Sequence, residues 1–455
     1  MTGDTLTLFD HNIKYDLILR SGTIVNQDGI GVGDIGIKAG QIASLGDLSK
    51  ASAKKVITCK GLHILPGVID SQVHFREPGL DHKEDLYTGS RAAVSGGVTA
   101  VFEMPNTVPL TTTKETLADK LSRAYHRMYC DFAFYVGGTR DNIEDIPQLE
   151  QMEGSAGIKI FMGSSTGNLL LDDEVSLDLI MTRLRRRAAF HAEDEARLIA
   201  RKHLQRLGDP NSHVEWRDVR VALQATKRLV SLAEKHRRRV HVLHISTGDE
   251  MDFLSLHREF VTIEVTPNHL TLTAPDCYKD LGTYAQMNPP IRDSWHQKRI
   301  WQAVVDGTVD VLGSDHAPHT REEKDRVYPN SHSGMTGVQT LVPIMLNHVN
   351  AGRLSLARFV DLTSYGPHRV FGIAGKGRIA IGYDADFTVV DLKRRQTITN
   401  NWIESKCGWT PYNGITVTGW PVGTFIRGCR VMWEGEILSS AHGEPIRFMN
   451  QTLFQ

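Results

Sequence analysis

The sequence predicts an α/β protein: a (β/α)8 TIM-like barrel carrying a small β-sandwich domain built from both ends of the chain. Three observations predict it. Strand-like and helix-like runs alternate through the middle of the chain. Short strand-like runs punctuated by Gly and Asp occupy both ends. Histidine, lysine and aspartate recur in or just after the central strands, where a parallel barrel gathers its functional side chains.

The elements follow in order. Asp16–Arg20, Gly22–Val25, Gly33–Ile37 and Gln41–Leu45 alternate or run apolar, as short strands do. Barrel strands are expected over Leu62–Asp70, Val98–Glu103, Asp131–Val136, Gly157–Met162, Ala188–His191, Arg239–Ser246, Val261–Val265 and Val309–Gly313. Helical periodicity intervenes, for example over Thr116–Tyr129, Asp173–Arg186, Val219–His236 and Trp295–Asp306. Strand texture returns at Ala385–Asp391, Gly414–Val417, Gly423–Gly428 and Cys429–Trp433. Residues 1–61 and 378–455 are therefore assigned to the composite β domain and 62–377 to the barrel, because chain ends often lie close together. The span exceeds the roughly 250 residues typical of such barrels, so loops carry insertions, with Leu204–Trp216 one candidate.

Composition narrows the function. A net charge of −1 over 455 residues offers no general field for nucleic acid or membrane. No stretch approaches the roughly 20 apolar residues of a membrane span, and Met1–Asp16 lacks a signal-peptide pattern. Five scattered cysteines without a CxxC pair suggest reduced thiols and a cytoplasmic address. Two basic runs, Arg183–Arg187 and His236–Arg239, fall near predicted helix C-termini, where positive charge complements the helix dipole.

The run Ile69–Gly79 holds the densest chemistry. Gln72, His74 and Arg76 alternate, so they share one strand face. A histidine beside an arginine suits a site for a metal and an anionic substrate, although a strand with polar edges explains it too. His191 and His244 end the fifth and sixth expected strands, Lys159 lies in the fourth and Asp315 follows the eighth. Imidazole and carboxylate together are ligands that zinc favours. Ser333–Thr340 places two glycines before an apolar helix, to contact substrate through backbone amides or simply to cap the helix.

Asp70, His74, Arg76 and Glu77-Pro78-Gly79 resemble the first motif of the dihydroorotases in the amidohydrolase superfamily, Asp-x-His-x-His followed by a hydrophobic residue, Arg and Glu-Pro-Gly. The resemblance extends through Glu103–Thr107, Gly157–Gly163, His191–Asp194, His244–Thr247, Glu264–His269, Asn288–Arg292 and Ser314–His319. It implies a small-molecule substrate, a cyclic ureide carboxylate, hydrolysed reversibly between dihydroorotate and N-carbamoyl-aspartate. It implies one or two zinc ions held by His74, Lys159, His191, His244 and Asp315, with Lys159 N-carboxylated and bridging. Asp315 takes the role of general acid/base. Arg76, Asn106 and His319 take the substrate carboxylate and Asn288 the ring; His316 is either substrate-facing or a support for Asp315. A homo-oligomer is also implied.

The chain departs from the motif at Gln72, which stands where the first histidine of the pair is expected. A neutral carbonyl oxygen replaces an imidazole there, so the site of His74, Lys159 and Asp315 is expected to hold metal weakly, and that of His191, His244 and Lys159 more strongly. Two other readings stand beside this one: a hydantoinase or allantoinase acting on another cyclic ureide, and a non-catalytic homologue serving as structural partner to an enzyme such as a carbamoyltransferase. Lys159 also admits a simple salt bridge to Asp315 or a nearby carboxylate, and Arg76 one to Glu77 or Asp81.

Overall fold

The structure is a computed structural model and describes residues 14–164 and 169–449. The expectation for Met1–Asp16 lies almost wholly outside the described residues. Eight parallel strands form the central sheet in sequence order: β6 (Val68–Val73), β7 (Val98–Glu103), β8 (Asp131–Gly137), β9 (Ser155–Phe161), β10 (Ala188–His191), β11 (Val240–Val242), β12 (Val261–Val265) and β13 (Val311–Leu312). Sequential order with one helical crossover after another is the (β/α)8 plan. The helices sit where the periodicity puts them, with ends shifted by up to five residues: Lys114–Ala124, Glu174–Arg183, Val219–His236 and Ser294–Val305. Asp218 caps the third of these, its carboxylate accepting from the Val221 N–H.

A second sheet, which fits a β-sandwich domain, draws on both ends of the chain. Its N-terminal strands are β1 (Tyr15–Asn26), β2 (Gly29–Lys38), β3 (Gln41–Gly46), β4 (Ala53–Thr58) and β5 (His63–Pro66). Its C-terminal strands are β14 (Phe387–Thr397), β15 (Thr416–Ile426), β16 (Cys429–Trp433) and β17 (Glu436–Ile437). The expected strands Asp16–Arg20 and Gly22–Val25 are one strand with a bulge between Leu19 and Gly22.

One expected strand is corrected. Leu62–Asp70 is two strands in two sheets: β5 pairs with β1 and β14, whereas β6 opens the barrel. Gly67 makes the transfer possible, since a Cβ there would meet the Thr99 hydroxyl at 2.3 Å. Both halves are buried, so their unbroken apolar run concealed the change of sheet. The small sheet thus takes a strand from within the stretch 62–377.

The barrel lumen is packed with Ile69, Phe102, Tyr135, Leu243 and Val311, and Phe371 and Phe448 close its N-terminal end. The Phe102 ring centroid lies 5.1 Å from that of Phe371 and 5.8 Å from that of Phe448. The last described segment therefore plugs the barrel, bridged through Phe132–Pro445 and Ile373–Phe448.

Buried charge fastens the small sheet to the barrel. Lys376 reaches Asp131 at the start of β8 at 2.6 Å, Asp386 beside β14 at 2.5 Å and Asp384 at 3.2 Å. Removing one partner from a buried ionic cluster strands the remaining charges. Lys376→Met is therefore predicted to cost roughly 3–5 kcal/mol in denaturant unfolding. A loss below about 1 kcal/mol, the scale of an exposed pair, would refute this role.

Candidate active site

The barrel closes at the seam between β6 and the segment after β13. The His74 N–H donates to the His316 carbonyl at 2.7 Å, and Val73 bridges His316. The Asp70 carboxylate accepts from the Ser314 N–H at 2.9 Å and the Gln72 N–H at 3.3 Å. This closure sets three expected side chains together. The Gln72 amide donates to Asp315 Oδ1 at 3.0 Å, and His74 Nε2 lies 3.2 Å from the same oxygen. His74 Nδ1 lies 2.7 Å from Asn106 Oδ1, so Asn106 orients the imidazole.

Across the recess, His191 Nδ1 and His244 Nε2 stand 3.0 Å apart. His191 Nε2 is held by Glu193 at 2.9 Å, and Glu193 in turn pairs with Arg217. Burial opposes the charge of Glu193, but Arg217 and His191 outweigh it and hold its carboxyl at about 2. Burial lowers the pKa of His74, His191 and His244, favouring the neutral imidazoles that ligate metals. His244 Nδ1 and Gln72 Oε1 are buried and have no hydrogen-bond partner among the described residues. Arg76, His244 and Asp315 all adopt left-handed backbone, with φ of 67°, 38° and 49°. Such conformations are uncommon outside glycine and concentrate at functional sites.

Gln72, His74, His191, His244, Asn288 and Asp315 line one recess, with Phe161, Ala317, Ser333 and Gly334 completing the wall. Gly334 is required there: its φ is +150° and a Cβ would meet the Ala317 carbonyl at 2.4 Å. Lys159 lies one strand from His191, its Nζ donating to the Ile160 carbonyl at 3.0 Å and lying 3.9 Å from the centre of the Phe161 ring that lines the recess. Among the described residues no carboxylate pairs with it, which removes the simple salt bridge. Burial pushes its pKa well below the ordinary lysine range. A neutral amine in that place is the form that can take up CO2. The donor set of two paired imidazoles, one imidazole–carboxylate pair and a neutral lysine fits a divalent metal of zinc type.

Beside the recess lies a cationic corner. Arg76 is 2% exposed and pairs with no carboxylate among the described residues. It donates to the Pro318 carbonyl at 3.2 Å and lies 3.3 Å from His319 Nε2. Its expected alternative partner Glu77 is taken by Arg127 at 2.6 Å, and Asp81 accepts the Gly79 N–H. His319, Glu323 and His332 bring ligand atoms within 4.8 Å of one another. Lys83 already sits 2.9 Å from Glu323, so this group reads first as an ion-pair network behind Arg76. His316 faces Glu84 and the Gly337 N–H, and so supports the seam rather than the recess.

Sequence reasoning missed His213, Arg217, Glu193 and Lys83. His213 Nε2 lies 2.9 Å from Asn288 Oδ1, and fixes that side chain. His213 lies in the stretch Leu204–Trp216 and Arg217 just after it, where only an insertion was expected; the i, i+4 spacing of the two was the available signal. Glu193 stood inside the motif His191–Asp194 with no role attached.

Comparison with known proteins bears on the family and the fold. A model of the amidohydrolase family matches residues 63–431. The dihydroorotase of Methanosarcina mazei is 35% identical over 444 residues, covering 94% of this chain and 96% of that one. The L-hydantoinase of Paenarthrobacter aurescens is 32% identical over 443 residues, covering 93% and 96%. The solved L-hydantoinase (dihydropyrimidinase) of Arthrobacter aurescens superposes with a TM-score of 0.91 at 30% identity, over 95% of this chain and 99% of that one. Barrel, recess and a family match over most of its length together establish that the chain belongs to the amidohydrolase family.

Proposed function

We propose that this amidohydrolase is a dihydroorotase, catalysing reversible hydrolysis of (S)-dihydroorotate to N-carbamoyl-L-aspartate in pyrimidine biosynthesis. The observation that carries the choice of substrate is Arg76: a buried guanidinium beside the recess that pairs with no carboxylate among the described residues, and so suits an anionic substrate. A ring bearing a carboxylate supplies it. Relatives named dihydroorotase support the same reading.

His74, His191, His244 and Asp315 would hold one or two zinc ions, and Lys159, once carboxylated, would add its carbamate oxygens to that set. The metal supplies Lewis acidity and brings the pKa of water to about 7. Asp315, steadied by the Gln72 amide on one oxygen, takes a proton from the attacking water and delivers it to the leaving amide nitrogen. Asn288, fixed by His213, contacts the ring, and His319 with Arg76 receives the carboxylate. Glu193 keeps His191 in the tautomer that presents Nδ1.

A hydantoinase is the second reading, favoured by the likeness to the L-hydantoinases. Hydantoin itself carries no carboxylate for Arg76. Zinc-loaded protein assayed with dihydroorotate, hydantoin and allantoin separates the readings. Dihydroorotate is expected to turn over best; preference for hydantoin transfers the assignment, and no turnover of any of the three leaves a non-catalytic partner protein.

Arg76→Met is predicted to lower kcat/KM for dihydroorotate by roughly 10- to 100-fold, the worth of a hydrogen bond to a charged group, while hydantoin turnover changes little. An equal loss on both substrates would mean that Arg76 serves the fold. Gln72→His tests the metal sites by elemental analysis of protein purified without chelator. Wild type is expected to hold on the order of one zinc per chain, since a neutral amide is a poor zinc ligand, and the variant more. Two full equivalents in wild type would contradict the role given to Gln72.

A further inference from the structure

The two basic runs that helix dipoles explained one at a time meet in space. Arg185, Arg186 and Arg187 lead into β10, and Arg237, Arg238 and Arg239 lead into β11. With Arg369 from the helix Gly366–Phe371, they line one concavity of about 400 Å³ whose apolar wall includes Val370 and Phe371. It sits at the N-terminal end of the strands, opposite the recess. His191 is four residues along β10 from Arg187, about 13 Å at the rise of a strand.

Helix dipoles account for little of this charge. Two helix C-termini offer about −0.5 each, roughly one negative charge against seven guanidiniums. Carboxylates account for little more. Among the described residues only Arg369 has one within 4 Å, Asp310 at 3.3 Å, and Asp310 is already held by Arg258 at 2.8 Å. Arg186 is only 8% exposed, yet its partners are neutral: the carbonyls of Glu150 at 2.9 Å and Ser155 at 2.8 Å, and the Phe448 ring at 4.1 Å. Arg187 likewise donates to the carbonyls of Val370 and Val240. The Glu150 carboxyl accepts from the Arg185 and Arg186 N–H groups, and burial pushes it up to about 7, which weakens it as a counter-charge.

We propose that this basin binds a small polyanion of the di- or triphosphate class, such as the phosphate chain of a nucleotide. Guanidinium forks match phosphate oxygens two by two. The volume lies in the range of small-molecule sites, and the apolar wall gives an attached ring somewhere to rest. A nucleic-acid backbone needs a long basic track instead, and a net charge of −1 offers no general field for one.

Calorimetric titration of the full chain with inorganic tripolyphosphate tests the proposal, with metal content matched between proteins. Saturable binding of one tripolyphosphate per chain is expected. Arg185 and Arg239 are exposed, so the double variant Arg185→Ala/Arg239→Ala is expected to fold as wild type, checked by circular dichroism. Its affinity should fall about tenfold or more, as lost charge-assisted hydrogen bonds require. Arg76→Met, altered at the other end of the barrel, should bind as wild type does. No saturable binding, equal affinity in wild type and double variant, or a loss confined to Arg76→Met would each overturn it.

Discussion

The contact on which the catalytic end depends is the hydrogen bond from the His74 N–H to the His316 carbonyl, backed by the Asp70 carboxylate receiving the Ser314 N–H. These bonds join the first barrel strand to the last without a regular ladder between them. Because they set the register of the seam, Gln72 and His74 reach one oxygen of Asp315. One residue of slip would turn both side chains to the opposite face. The left-handed backbone at Arg76 and Asp315 lies on the two sides of this seam, so the strain is stored where the surrounding structure can hold it.

Much of the architecture was legible in the chain. Alternation of strand and helix gave the barrel, and the matched β texture at both ends gave the small domain. The switch at Gly67 was not legible, because a strand buried in either sheet reads as the same apolar run. The strand-end candidates were legible as residue types, and His74, His191, His244 and Asp315 do line one recess with Asn288. Their supports were not. Glu193, Arg217 and His213 act through partners distant in sequence, and spacing carries no record of such pairs. Nor could spacing show that two arginine runs about fifty residues apart share a basin, since each alone fits a helix end.

The fold separates two kinds of charge. At the strands' C-terminal end, imidazoles, carboxylate and a buried arginine surround a small polar recess. At the other end, aromatic side chains seal the lumen and arginines crowd outside the seal. The same strand, β10, delivers His191 to the first and Arg187 to the second. Gln72 marks the boundary of what the family pattern predicts: it keeps its place at the seam as a hydrogen-bond donor to Asp315, where the pattern has an imidazole.

Anomalous diffraction from crystals of the zinc-loaded protein, collected on both sides of the zinc edge, tests the central claim most directly. The account predicts the strongest peak between His191 and His244, with a weaker one or none beside His74 and Asp315. A dominant peak among His319, Glu323 and His332, with none at the paired imidazoles, would contradict it.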